Sequence, residues 1–216
     1  MNKAVYFITT PRLQLRCWEP ADAGALKEAV DSSLESLRPW MPWAHQEPEP
    51  VEKKIERIHR FRRDFADRKH LAFGIFPAGH HRVLGSVSIA WRVAPDVANF
   101  GYWLRSDAVG QGYATEAVLG CMFASFMAFG SPTAEIYCDP ANQRSAAIPT
   151  RLGYAALPSA IRQTADHRDR LSLIWRMDRA TFRQTHQSKA GFSVYNDQRE
   201  LLFPTEPPSD RATSVV

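Results

Sequence analysis

Apolar positions along this chain repeat with two periods, about 2 and about 3.6 residues, and the places where one gives way to the other outline the elements. Leu13 and Leu15 alternate with polar neighbours, which predicts a first strand ahead of the turn at Glu19-Pro20. Leu26, Ala29, Val30, Leu34 and Leu37 then return at helical spacing, with Asp22 placed to cap them, so a helix is expected over 22–37. Pro39 and Pro42 stop it, because each removes a backbone donor and restricts the residue before it. The segment from Arg38 to Trp43 is therefore a loop carrying two indoles. Val51, Ile55, Ile58, Phe61 and Phe65 mark a second amphipathic helix opened by Pro50, with a solvated face of Lys and Arg.

Three strand-like runs follow, at 71–76, at 83–92 with Val83, Gly85, Val87, Ile89 and Trp91 on one face, and at 99–105. Gly79-His80-His81 reads as the hairpin turn between the first two. Ala114, Ala117, Val118, Cys121, Met122 and Ser125 predict a helix from Tyr113 to about Phe129, buried on much of its circumference. A strand at 133–138, a short helix at 143–152 and strands near 154–162 and 169–177 complete the order. Strands, helix, strand, helix and strands imply a mixed sheet covered by helices, an α/β or α+β class.

The 216 residues, 44% of them apolar, suffice for one substantial core and an appendage. The natural division is a domain over 1–182 and an extension over 183–216, where the composition turns to Arg, Gln, Thr, His and Ser and then to proline. In the extension, Phe192 to Tyr195 and Glu200 to Phe203 form a candidate hairpin across Asn196-Asp197. It reads as a docked arm, as an arm bridging a homodimer, or as a loose segment, with 204–216 expected to be disordered. The apolar stretch from Ala117 to Gly130 falls short of the roughly 20 residues that cross a bilayer. No secretory signal opens the chain, and Cys17, Cys121 and Cys138 share no metal-type spacing, so a reducing, cytoplasmic setting without metal or membrane is expected. A net charge of +4, dispersed along the chain, gives no footprint for nucleic acid.

Gly110-Gln111-Gly112 stands where a strand ends and a helix begins. Glycines there can take positive φ, turn successive amides outward and expose the positive end of the helix to phosphate oxygens. A tight turn that needs glycine only for steric reasons has the same sequence. Among nucleotide sites, a Walker loop lacks its Gly-Lys-Ser/Thr, and a dinucleotide fingerprint has Thr115 in place of the third small residue, with Asp139 to supply the acid some 20 residues on.

The flanks narrow the choice. Gly101-Tyr102-Trp103-Leu104-Arg105 followed by Gly110-Gln111-Gly112-Tyr113-Ala114-Thr115-Glu116-Ala117 closely resembles the cofactor motif of the Gcn5-related N-acetyltransferases (GNAT). Asp139-Pro140-Ala141-Asn142-Gln143-Arg144-Ser145, then Arg151-Leu152-Gly153-Tyr154, resembles that superfamily's next motif. Thr10 to Arg16 and Leu37 to Trp43 are similar to the branch of bacterial ribosomal-protein N-terminal (Rim-type) acetyltransferases. The resemblance spans about 8–182. It implies a mostly antiparallel twisted sheet, splayed between the strand at 99–105 and the strand at 133–138. It implies acetyl-coenzyme A as cosubstrate, with Trp103, Leu104 and Arg105 beside the pantetheine arm and Val109, Gly110, Gln111, Gly112, Tyr113, Ala114 and Thr115 around the pyrophosphate. Asn142 would contact the pantetheine and Ser145 would lie near the thioester sulfur.

The chain departs from the family pattern twice. Asp107 stands where family loops begin with Arg or Gln, and Pro149 occupies the position of the tyrosine that protonates the departing thiolate in many members. In the Rim-like branch a serine at the place of Ser145 takes that role. The reaction implied is acetyl transfer to a primary amine, by direct attack in a ternary complex. Trp40 and Trp43 are candidate walls of the acceptor groove, or else plugs over the core, and His45, Glu47 and Glu49 are candidate bases. A protein N-terminus, an amino acid, a polyamine and an aminoglycoside all remain as acceptors. A coenzyme A-binding module without turnover and an NAD-type domain are the competing readings.

Overall fold

The computed structural model describes residues 5–91, 96–163 and 169–204. Its strands are β1 Phe7–Thr9, β2 Leu13–Cys17, β3 His70–Pro77, β4 Gly85–Ala90, β5 Val97–Leu104, β6 Thr133–Cys138, β7 Ala155–Gln163, β8 Asp169–Asp178, β9 Ser193–Tyr195 and β10 Leu201–Pro204. Its α-helices are α1 Ala23–Asp31, α2 Leu34–Leu37, α3 Val51–Ala66, α4 Tyr113–Phe123, α5 Gln143–Arg151 and α6 Arg179–Thr185. The strands make one sheet in the order β10-β9-β1-β2-β3-β4-β5-β6-β8-β7. Among the described residues only β5 and β6 pair in parallel, so the sheet is mixed and mostly antiparallel, as the sequence implies. No helix among them is long and apolar enough to cross a membrane.

The period-2 pattern sorts the sheet into two faces. Register places Leu15, Ile75, Phe73, Val87, Ile89, Phe100, Ile136 and Trp175 on one side. That side packs on α4, whose residues from Ala117 to Phe123 are all buried. On the other side Trp18, Phe76 and Ala72 meet Leu26 and Val30 of α1 and Ile58 of α3. This second cover centres on β3, and the same face of β4 and β5 is left open as a groove.

Five elements differ from what the sequence predicts. The helix expected over 22–37 breaks at Ser32-Ser33 into α1 and α2. There the Ser32 hydroxyl donates to the Ala29 carbonyl at 3.3 Å, while Ser33 Oγ accepts the Ser106 amide at 3.0 Å. Serines that bond nearby backbone compete with the helix ladder, and this pair also anchors the turn after β5. The helix from Tyr113 keeps α geometry to Phe123 and then widens into a π turn over 124–128. β1 is too short to show a period, and α6 follows β8 directly, capped by Asp178, which accepts the Thr181 amide at 2.7 Å. The strand expected from 83 begins at Gly85. Arg92, its expected end, lies outside the described residues, as does the tail expected to be disordered apart from Pro204.

Candidate active site

The β5–β6 ladder stops early. Register runs from Val97↔Thr133 to Phe100↔Ile136, after which β5 follows β4 to Leu104 and β6 follows β8 to Cys138. Among the described residues the edge of 101–104 that faces β6 has no strand partner, so a wedge-shaped split opens there with backbone donors and acceptors on its wall.

The chain leaving β5 forms a 3₁₀ turn over Ser106–Ala108 and reaches α4 through Gly110 and Gly112. Both glycines have φ near +80° (78° and 81°), and a Cβ on Gly110 would meet nothing within 4 Å. The loop is thus open on its outer side, with the N-terminus of α4 behind it. Arg12 crosses the base of this loop: its Nη1 donates to the Gln111 carbonyl at 3.0 Å and its Nε to Glu116 at 2.7 Å, while Thr10 Oγ1 donates to Glu116 at 2.5 Å. Glu116 is therefore held in the first turn of α4, where its charge suits the helix dipole.

Asp107 is neutralised. Arg82 and Arg105 donate to its two oxygens at 2.5 and 2.6 Å. Arg105 is 6% exposed and also holds Glu28 of α1 at 2.8 Å, so its guanidinium ties α1 to the turn after β5 and is turned away from the split. Trp103 is half-buried on the groove face, whereas Leu104 packs against the core.

Across the split, Asn142 caps α5, its Oδ1 accepting the Ser145 amide at 3.1 Å. Ser145 Oγ lies 2.9 Å from the hydroxyl of Tyr102, and the same hydroxyl is 3.2 Å from the Ser145 carbonyl. Burial pushes the Tyr102 phenol above its ordinary value, against a smaller lowering by the Ser145 bond, so Tyr102 stays neutral. The Cys138 thiol is raised by burial, and a hydrogen bond with Ser145 opposes that rise. Pro149 sits inside α5. The sequence motif does not single out Tyr102 from its neighbours. Its signal was parity: in a strand whose Phe100 faces the core, Tyr102 must face it too, opposite Gly101 and Trp103.

On the open face lies a groove of about 820 Å³. Ser86 and Ser88 of β4 with Gly101 and Trp103 of β5 form its floor, and Trp43, Phe61 and Arg57 are among its walls. Trp43 and Trp103 are 5.8 Å apart between ring centres, within range of a favourable aromatic pair. Trp40 lies elsewhere: it is 36% exposed and borders a separate hollow of about 180 Å³ with Tyr137, Cys138 and Leu171. His45 is exposed on the 3₁₀ turn Pro42–Gln46 and lines neither space. Glu47 is enclosed completely. Its carboxylate is bonded by Lys54, which is itself fully buried, and by Arg57 at 2.9 Å. Burial raises the Glu47 carboxyl, and hydrogen bonds from Lys54 and Arg57 outweigh it, leaving a net depression. The structure thus brings Trp43 to the groove and distributes Trp40, His45 and Glu47 to other places.

A sheet split along its parallel ladder, with an open glycine loop at a helix N-terminus on one side and a groove on the other, is the architecture of an acyl-coenzyme A transferase. The chain belongs to the GNAT acetyltransferase family, whose domain model matches residues 12–155. It is 24% identical over 143 residues to YdaF of Bacillus subtilis (strain 168), which is named as a ribosomal N-acetyltransferase; the match covers 66% of this chain and 77% of that protein. A Vibrio cholerae structure named as a ribosomal-protein-serine acetyltransferase superposes with a TM-score of 0.70 at 23% identity, covering 82% of this chain and 99% of that one. RimJ of Mycobacterium smegmatis, in complex with CoA-disulfide, gives 0.70 at 22% identity, covering 82% and 90%. At these identities the two structures share the fold with this chain.

Proposed function

We propose that the protein transfers an acetyl group from acetyl-coenzyme A to a primary amine by direct attack while both are bound. The observation that carries this reading is the split itself, with the Gly110–Gly112 loop at one mouth and the 820 Å³ groove at the other. Outward amides from Val109 to Ala114 suit a pyrophosphate, with Thr115 in the turn behind them. The unpaired edge of β5 beside Trp103 suits the pantetheine and supplies donors to the oxygen that gains charge during attack. Acetyl-coenzyme A brings the activated thioester, and holding it in line with the amine supplies much of the rate. Neutralisation of Asp107 by Arg82 and Arg105 removes the main objection to phosphate binding at this loop.

The groove fits a chain end better than a compact amine, because its floor runs along β4 and β5 and its wall along α3. The ribosomal names of the relatives agree with a protein N-terminus as acceptor. Coenzyme release measured with a panel of N-terminal peptides, amino acids, polyamines and aminoglycosides tests the reading. Turnover with none of them, despite binding of acetyl-coenzyme A, would favour a binding module.

Ser145 is the candidate to protonate the departing thiolate, supported by its position across the split from Tyr102. Ser145→Ala keeps the helix cap, since Asn142 bonds the backbone amide at 145 and not the side chain. The variant should lose about 10- to 100-fold in kcat and little in acetyl-coenzyme A affinity. Equal losses in both would make Ser145 a binding residue.

Trp43 shapes the acceptor side. Trp43→Ala should raise the acceptor KM about tenfold, the scale of one aromatic surface lost from a binding site, with acetyl-coenzyme A affinity unchanged. Wild-type acceptor kinetics combined with a lower Tm would make Trp43 a plug over the core.

A further inference from the structure

The hydroxyl of Tyr102 lies within reach of two acceptors on one residue, the Ser145 carbonyl at 3.2 Å and Ser145 Oγ at 2.9 Å. That carbonyl is available for a sequence-specific reason. In a regular helix it would accept the amide of the residue four positions on, and that residue is Pro149, which has no N–H. The proline that displaces the family's tyrosine therefore leaves the Ser145 carbonyl without its helical donor, and the phenol of Tyr102 on β5 donates to it instead.

We propose that Tyr102 is a positioning residue for the leaving-group step, its hydroxyl swinging from the Ser145 carbonyl to Ser145 Oγ as the coenzyme thiolate departs. The proposal rests on Ser145 as the proton donor. A serine hydroxyl alone is a poor acid, and a hydrogen bond donated to its oxygen stabilises the charge that builds there when its proton leaves. The step balances within the ternary complex. The C–N bond forms and the C–S bond breaks; the sulfur takes the Ser145 proton; Ser145 Oγ then regains a proton from the acylated nitrogen, which carries one more than an amide keeps. Tyr102 retains its own proton throughout, as a neutral buried phenol does. Its movement is a rotation about one C–O bond, because both acceptors belong to the same residue and no chain has to shift.

Tyr102→Phe removes one oxygen and keeps the ring on the core face of β5. Single-turnover coenzyme release should slow about tenfold, the scale of one hydrogen bond to a charge-bearing oxygen, with acetyl-coenzyme A affinity and Tm near wild type. In a Ser145→Ala background the same substitution should have no further effect on the rate, because Tyr102 acts only through Ser145. A wild-type rate for Tyr102→Phe, or equal factors in both backgrounds, would overturn the proposal while leaving Ser145 as donor. A wild-type rate for Ser145→Ala would remove the donor itself, and the proposal with it.

Discussion

Replacing Gly112 by valine should weaken acetyl-coenzyme A binding by about 100-fold or more and leave the sheet folded, because two charge-assisted amide bonds are each worth about 1.5–3 kcal/mol. The backbone decides this outcome. Gly112 has φ 81°, a left-handed conformation that a β-branched residue avoids, whereas the space around its Cβ is adequate, the nearest atom being Arg12 Nη2 at 3.4 Å. Relief of the strain rotates the peptide units on either side and turns the amides of the loop away from a common centre. α4 itself survives, since its Ala117–Phe123 stretch is buried against the sheet whatever happens in its first turn. Calorimetric titration with acetyl-coenzyme A, beside a thermal melt, measures both halves. Unchanged affinity would exclude the glycine loop as the phosphate site.

The second large effect is on stability and concerns the loop that carries Trp43. Lys54→Met should cost about 3–5 kcal/mol, because it strips a fully buried carboxylate of its main partner. Glu47 and Lys54 both have side chains at 0% exposure, and Arg57 at 2.9 Å would remain as the cation holding the charge, beside the Glu49 amide that donates to the other carboxylate oxygen at 2.9 Å. Truncating both, as Glu47→Gln with Lys54→Met, should cost less than the sum of the single changes, since no uncompensated charge is left behind. Denaturant unfolding of the four proteins gives the cycle, and a loss below about 0.5 kcal/mol for Lys54→Met would show that the pair adds nothing. Acid weakens the same network. The Glu47 carboxyl is depressed in the folded protein, so its contribution is present above the ordinary carboxylate value and is lost as pH falls through the lower folded value.

The fold class was readable because the periods are clean where both faces of an element have fixed surroundings. β3, β4 and α4 are examples: their partners are other buried strands and helices, so hydrophobicity alone reports position. The glycine loop was readable for a different reason, since Gly110 and Gly112 state a backbone requirement one residue at a time. What the sequence concealed were pairings between distant side chains. Glu47 looked like any acid in a loop, although Lys54 lies on the apolar stripe of α3 between Val51 and Ile58 at helical spacing, a place where a lysine needs a buried partner. Tyr102 passed as one residue of a motif because its partner is set by the register of β5 beside α5, which no local pattern encodes. Trp40 and Trp43 differ by three positions, and the proline between them begins a 3₁₀ turn that sends one indole to the β6–β8 side and the other to the groove.

The hairpin of β9 and β10 gives the sheet an order of assembly. β1 pairs with β2 across a three-residue turn, but its other edge is filled by β9, with Phe7 opposite Tyr195. Phe192, just before β9, stacks on Phe123 at 4.9 Å, so the same segment also finishes the core around α4. Contacts that join residue 7 to residue 195 close a loop of nearly the whole chain, and they form slowly compared with the local hairpins of β3, β4 and β5. During synthesis the earlier strands therefore emerge with one edge of β1 unpaired and Phe123 without Phe192, and the sheet acquires this seam only once β9 has emerged.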